Sequence, residues 1–244
     1  MHNTELNEHN LTILYEESTD FVLSQTIVDM ITDSSLSERT LRFVGRIIEA
    51  SNATNVIEFG SGVSTIFISG ILSRSDQGRI YSIEHSTQYY RETLRKLKGA
   101  GNVTCLLSPI KPYLFRLKRF MTYDPLYLRS LPPGARLDLV LIDGPPAFRY
   151  GREAPLYQIA PFLQEGTVIL LDDANRIPEK EAIRNWKRVW RSRIQVSLFP
   201  ELKKGLAVIQ IRHPGKMARW PFGIRDIWRS HLMTRRALMA NRGD

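Results

Sequence analysis

Cysteine is almost missing from this sequence: Cys105 is the only one in 244 residues. An intrachain disulfide is therefore excluded. A lone cysteine inside an apolar run reads as a small buried hydrophobe, not a nucleophile. Long hydrophobic runs are missing as well. No stretch approaches the roughly 20 apolar residues that span a bilayer. The opening residues, Met1-His2-Asn3-Thr4-Glu5, are polar and acidic, where a secretory signal would begin basic and then turn apolar. Together these absences set the expectation of a reducing, cytoplasmic setting. There is no internal repeat and no low-complexity tract. What remains is a length and composition suited to one α/β domain with a substantial core.

A third glycine is also absent, at an informative place. Val56-Ile57-Glu58-Phe59-Gly60-Ser61-Gly62-Val63-Ser64-Thr65 is a short apolar run, a Gly-x-Gly turn and residues able to open a helix. A strand stopping at a glycine turn before a helix lets backbone N–H groups and the positive helix end approach a ligand. A dinucleotide fingerprint would carry a further glycine where Thr65 stands. Glu58, just before the turn, would repel a pyrophosphate and suits a ligand bearing an ammonium group or hydroxyl donors.

This stretch resembles motif I of the class I, Rossmann-like methyltransferases that use S-adenosylmethionine. Further strands follow in that family's order: Arg79 to His85, Asn102 to Leu107, Asp138 to Asp143 and Gly166 to Asp173. The pair Gln195–Phe199 and Gly205–Ile211 suits a terminal antiparallel hairpin, which that fold has. The resemblance covers roughly residues 37–213. It implies an α/β three-layer Rossmann-like methyltransferase sandwich, a mostly parallel seven-stranded sheet with a C-terminal antiparallel hairpin. It also implies that Glu58, Gly60, Ser61, Gly62, Ser64, Glu84, His85 and Asp143 hold S-adenosylmethionine. Glu84 lies 24 positions after Gly60, near the offset of about 20 at which a carboxylate receives ribose hydroxyls.

Residues 1–36 read as an N-terminal helical segment able to cap the substrate end. Ser37-Glu38-Arg39-Thr40 can cap a helix carrying Leu41, Val44, Ile47 and Ile48. Helices are also expected over 65–73, 87–97, 153–163 and 178–193. The 108–136 insert is Pro-bracketed, basic and rich in Tyr and Leu. A parallel crossover needs a helix there, and the length also admits a lid or substrate-facing loop. Residues 214–244 read as a basic amphipathic C-terminal helix, with Ile224, Ile227, Trp228, His231 and Leu232 near one face. Charge is segregated: residues 174–244 hold 17 Lys/Arg against 5 Asp/Glu, residues 1–173 hold 17 against 20. The basic third suits phosphate, anionic lipid, nucleic acid or an acidic glycan. Its helix suits a membrane surface, its own domain or a homodimer interface. No RNA-binding module or stacking motif is legible.

Methyl transfer needs an acceptor held in line and, for a hydroxyl, a base. Candidates belong at the C-terminal ends of the fourth and fifth strands, the ligand edge of an open α/β sheet. Asp143, closing an apolar strand before Gly144-Pro145-Pro146, leads them. Asp172 and Asp173 end the fifth strand, and Arg149 is expected to bind substrate or hold the carboxylates. This pattern is similar to the catechol and caffeoyl-CoA O-methyltransferases. That likeness implies Mg²⁺ or another divalent cation on Asp143 and Asp173. The match breaks at the third ligand, where Ala174 replaces Asn; Asn175 comes one residue late, and Asp172 is another oxygen source. The expected activity is O-methylation of a small-molecule or glycan-like acceptor. RNA or another polyanion as substrate, and a non-enzymatic interaction module, are the alternatives.

Overall fold

The computed structural model describes residues 6–145, 151–215, 217–218 and 221–240. Two short helices, α1 (Glu8–Glu17) and α2 (Gln25–Asp29), lead to α3 (Glu38–Ser51). Ser37 caps α3 by accepting from Thr40 N–H at 3.2 Å, and Asn52 ends it in the left-handed conformation. The alternating core follows as β1 (Asn55–Phe59), α4 (Val63–Leu72), β2 (Arg79–Glu84), α5 (Thr87–Leu97) and β3 (Val103–Leu107). After β4 (Ile110–Phe115) and β5 (Lys118–Tyr123) come β6 (Leu137–Ile142), α6 (Ala154–Gln158), β7 (Leu163–Asp172) and α7 (Ile177–Trp190). The chain closes with β8 (Ile194–Phe199), β9 (Leu206–Ile211) and α8 (Ile224–Ala240).

Seven strands form one sheet in the order β3-β2-β1-β6-β7-β9-β8. All pairings are parallel except β7 with β9 and β9 with β8. The expected sheet and terminal hairpin are both present. Residues of β1 and β6 are buried on both faces, the pattern of a parallel sheet covered by helices on each side. The first two helices, α3 and α4 pack one face around Leu41, Phe43, Val44 and Ile68. The β4–β5 hairpin, α6 and α7 pack the other around Phe59, Tyr123, Tyr157 and Trp186. Strand order reverses between β1 and β6, so their C-terminal ends open the crevice where such sheets bind ligands.

The 108–136 insert is not a crossover helix. It folds as the antiparallel β4–β5 hairpin, pairing Ile110 with Tyr123 and Phe115 with Lys118, followed by a 3₁₀ turn over Pro125–Ser130. Pro109 and Pro112 would break a helix, whereas a two-stranded sheet tolerates Pro112 on an edge strand. Cys105 is half-buried, not fully buried, because β3 is the sheet edge. Burial and the nearby Glu58 charge push its thiol up to about 11, far from a nucleophilic thiolate.

The hairpin is tied to the domain by a buried ion pair. Lys118 Nζ donates to Glu153 Oε2 at 2.7 Å, both side chains being essentially inaccessible. Glu153 also accepts from Tyr157 Oη at 2.7 Å and Asn185 Nδ2 at 3.0 Å. Removing one partner strands the other charge. Lys118→Met should therefore cost about 3–5 kcal/mol, read as a lower urea midpoint at unchanged slope.

Candidate active site

The crevice between the β1 and β6 ends is a cavity of about 370 Å³. The first wall is the glycine turn. Gly60 has φ +100, and a Cβ there would lie 3.3 Å from the Asp143 carbonyl carbon and the Gly144 nitrogen. The turn thus needs glycine at 60 for conformation and for close approach. Gly62 would meet nothing, so a methyl group fits there. Gly144 is constrained by space more tightly, since a Cβ there would run into the Tyr123 hydroxyl.

Glu84, at the end of β2, holds that turn in place. Its Oε2 accepts from Ser61 N–H at 2.8 Å, and its Oε1 from His85 and Ser86 N–H, each at 2.7 Å. Burial pushes its pKa up, but these donors and His85 outweigh burial and hold the carboxyl below its ordinary value. Glu84 is therefore an anion bordering the cavity beside Ser61, Gly62, Ser64 and His85.

Glu58 sits elsewhere than the sequence suggested. It is fully buried beneath the turn and off the cavity wall. It accepts hydroxyl hydrogen bonds from Ser64, Thr65 and, at 2.9 Å, Ser82. Burial pushes its pKa up to about 7 against those three hydroxyls, with the Glu84 charge raising it further. Its position makes it a brace joining β1, β2 and the start of α4. Ser64, expected at the ligand, commits its hydroxyl to the same brace while still bordering the cavity.

Beside the glycine turn stand the strand-end carboxylates. Asp143, Asp172 and Asp173 each offer an oxygen within 4.8 Å of the others. Asp143 and Asp173 border the cavity. Arg149 lies outside the described residues. The cation that holds this cluster is Arg152, three residues later, whose side chain is 7 % exposed. Its Nη2 lies 3.2 Å from Asp143 Oδ1, its Nη1 2.9 Å from Asp173 Oδ2, and its Nε 3.8 Å from Glu179 Oε1. Arg176, at 2.8 Å, and Lys204, at 3.8 Å, approach Asp173 from the rim. Burial and the Asp172 charge push Asp143 well above the ordinary carboxylate range, with Arg152 opposing. Burial and the Asp173 charge push Asp172 up as well.

The expected divalent cation does not fit this arrangement. Arg152 already holds one oxygen of each carboxylate, Asp143 Oδ1 and Asp173 Oδ2, so a cation held by Asp143 and Asp173 would have to compete with a buried guanidinium. The third expected ligand, Asn175, points away: its Nδ2 donates to Pro200 O at 2.7 Å. Placed one residue beyond the cluster, Asn175 instead packs over Gly205.

Two site residues escaped the sequence reading. Arg152 lies in a stretch with no motif; its only signal was a cation soon after a strand-end aspartate. Tyr123 ends β5 and borders the cavity, and its buried hydroxyl has no partner among the described residues. The helical crossover expected there concealed it. Met30, Thr32, Ser34, Ser35 and Leu36 from the N-terminal segment also border the cavity, as do Tyr89, Thr93 and Lys96 of α5.

Residues 57–174 match a family model described as a methyltransferase domain. No curated protein matches the sequence. Among solved structures, the chain is similar to the O-methyltransferase TomG from Streptomyces achromogenes, involved in tomaymycin synthesis and bound to S-adenosylmethionine. Identity is 14 %, covering 85 % of this chain and 99 % of that one, with a TM-score of 0.59. It is also similar to a Bacillus cereus O-methyltransferase bound to S-adenosylhomocysteine, at 16 % identity, 86 % and 93 % coverage and a TM-score of 0.56. The Podospora anserina methyltransferase PaMTH1, bound to the same product, matches at 16 % identity, 83 % and 87 % coverage and a TM-score of 0.56.

Proposed function

We propose that this chain is a class I S-adenosylmethionine-dependent methyltransferase and that it methylates a hydroxyl oxygen of a small-molecule or glycan-like acceptor. The observation that carries this reading is Asp143. It follows β6 at the cavity edge, its backbone beside Gly60 of the glycine turn, and burial raises its proton affinity toward that of a useful base. The named functions of TomG and the Bacillus cereus protein support oxygen as the target.

When bound, S-adenosylmethionine supplies an electrophilic methyl group. The Gly60–Ser64 turn, Glu84 and His85 are the residues placed to hold it. Glu84, an anion braced by loop N–H groups, is suited to receive ribose hydroxyls. Asp143 takes the acceptor's proton as the oxygen attacks, and Arg152 fixes that carboxylate's orientation. Tyr123 offers an unspent hydroxyl to the ligands. The five bordering residues of the 30–36 segment shape the acceptor's side. Pre-organised groups of this kind lower the barrier without moving during the reaction.

Calorimetric titration with S-adenosylhomocysteine tests the first half. Binding to the wild type is expected, weakened about tenfold or more by Glu84→Ala, which removes charge-assisted hydrogen bonds from the turn. Absence of binding to the wild type would overturn the reading. Transfer of labelled methyl to hydroxyl acceptors, lost in Asp143→Asn, tests the second half.

A further inference from the structure

We propose that α8 seats this protein on an anionic lipid surface. One side of α8 is used internally. Ser230 and Thr234 are buried against β5. Ser230 Oγ accepts from Arg119 N–H at 3.1 Å, and His231 Nε2 lies 2.8 Å from Leu117 O. Among the described residues nothing covers the opposite side. Ile224 is 87 % exposed, Trp228 69 % and Met239 58 %.

At 3.6 residues per turn, Ile224, Trp228, Met239 and Leu232 fall within an arc of about 80°. Arg225, Arg236 and Arg229 occupy the next roughly 60° of the wheel, and Arg235 lies inside the apolar arc. All four arginines are exposed, and Arg229 also reaches Glu181 at 4.0 Å. The helix holds one acid, Asp226, which turns away to Arg188 at 3.1 Å. The hairpin turn beside the helix adds exposed Leu117.

An apolar strip edged by arginines fits the boundary between headgroups and acyl chains. Trp and Ile enter the apolar layer, and each arginine meets an anionic headgroup. Other occupants match less of this face. A second copy would set four arginines against four arginines. A nucleic acid would use the arginines and Trp228 but leave Ile224, Leu232 and Met239 without a role. Among the described residues no helix is long and apolar enough to cross a membrane, so contact is at the surface. Strand β5, which α8 covers, ends at Tyr123 on the cavity wall.

The test uses the full chain and vesicles of phosphatidylcholine, with or without phosphatidylglycerol. Co-sedimentation is expected only with phosphatidylglycerol, and it should fall as salt rises. Arg225→Gln with Arg236→Gln should weaken binding by about 25-fold, from roughly fivefold per charge. Ile224→Ser with Trp228→Ser should weaken it by about tenfold or more. Trp228→Phe should keep binding but lose most of the blue shift in tryptophan emission. All three changes lie far from the cavity, so S-adenosylhomocysteine titration should match the wild type and report intact folding. Failure to sediment with phosphatidylglycerol overturns the proposal. So does sedimentation unaffected by the serine pair, or preferential capture of an RNA oligonucleotide or a second copy through the same residues.

Discussion

Asp143→Asn should lower turnover by about a hundredfold to ten-thousandfold, the range general bases supply, while S-adenosylhomocysteine affinity stays within about threefold. The split between the two readouts matters. The Asp143 backbone N–H donates to Phe59 O at 2.9 Å, and asparagine preserves that bond and the side-chain volume. The neighbouring turn therefore keeps its geometry. What asparagine removes is the ability to accept a proton. The pH dependence follows from the same group. Burial and Asp172 hold Asp143 above its ordinary pKa, so its basic form grows as pH rises. Turnover should climb with pH through the raised pKa in the wild type. The residual turnover of Asp143→Asn should lack that limb. Equal turnover in variant and wild type would remove Asp143 from the chemistry. Lost product affinity would mean that it holds the cofactor instead.

The sheet was legible because its signals are local and periodic. Val56 to Phe59, Leu137 to Ile142 and Thr167 to Leu171 are short apolar runs, each ending at a turn residue or an acid, and parallel strands buried on both faces write that pattern. The β8–β9 pair was legible from its short connection alone. The hairpin over 110–123 was not, because its rule came from the wrong scale. Parallel crossovers are usually helical, and the prolines that forbid a helix here were read as boundaries. Glu58 shows a different limit. An acid before a glycine turn has the same spelling whether it faces a ligand or supports the turn from below. Only the hydroxyls of Ser64, Thr65 and Ser82 converging on it separate the two. The carboxylate cluster was visible in sequence, but its counter-ion was not. A long side chain joins such a cluster through tertiary geometry, which leaves no spacing rule.

That counter-ion carries the second large prediction. Arg152→Met should destabilise the protein at neutral pH by about 3–5 kcal/mol, the cost of leaving buried charge without its partner. The sign of the pH effect is fixed by the carboxyls left behind. Without the guanidinium, which opposes the rise at both, the pKa values of Asp143 and Asp172 go further above their unfolded values. The folded state then binds more protons than the unfolded one, so the penalty grows as pH rises above about 4 and shrinks on acidification. Urea midpoints of variant and wild type should converge at low pH. The same substitution removes the guanidinium that joins Asp143 to Asp173, leaving three carboxylates with oxygens within 4.8 Å of one another. Mn²⁺, followed by its paramagnetic resonance signal, should then bind Arg152→Met, raise its urea midpoint, and ignore the wild type. Wild-type turnover should be unchanged by EDTA. Turnover abolished by EDTA and restored by Mg²⁺ would show that the guanidinium yields its place to a cation. Resistance to EDTA would instead identify Arg152 as the permanent counter-charge of this site, orienting Asp143 without a metal.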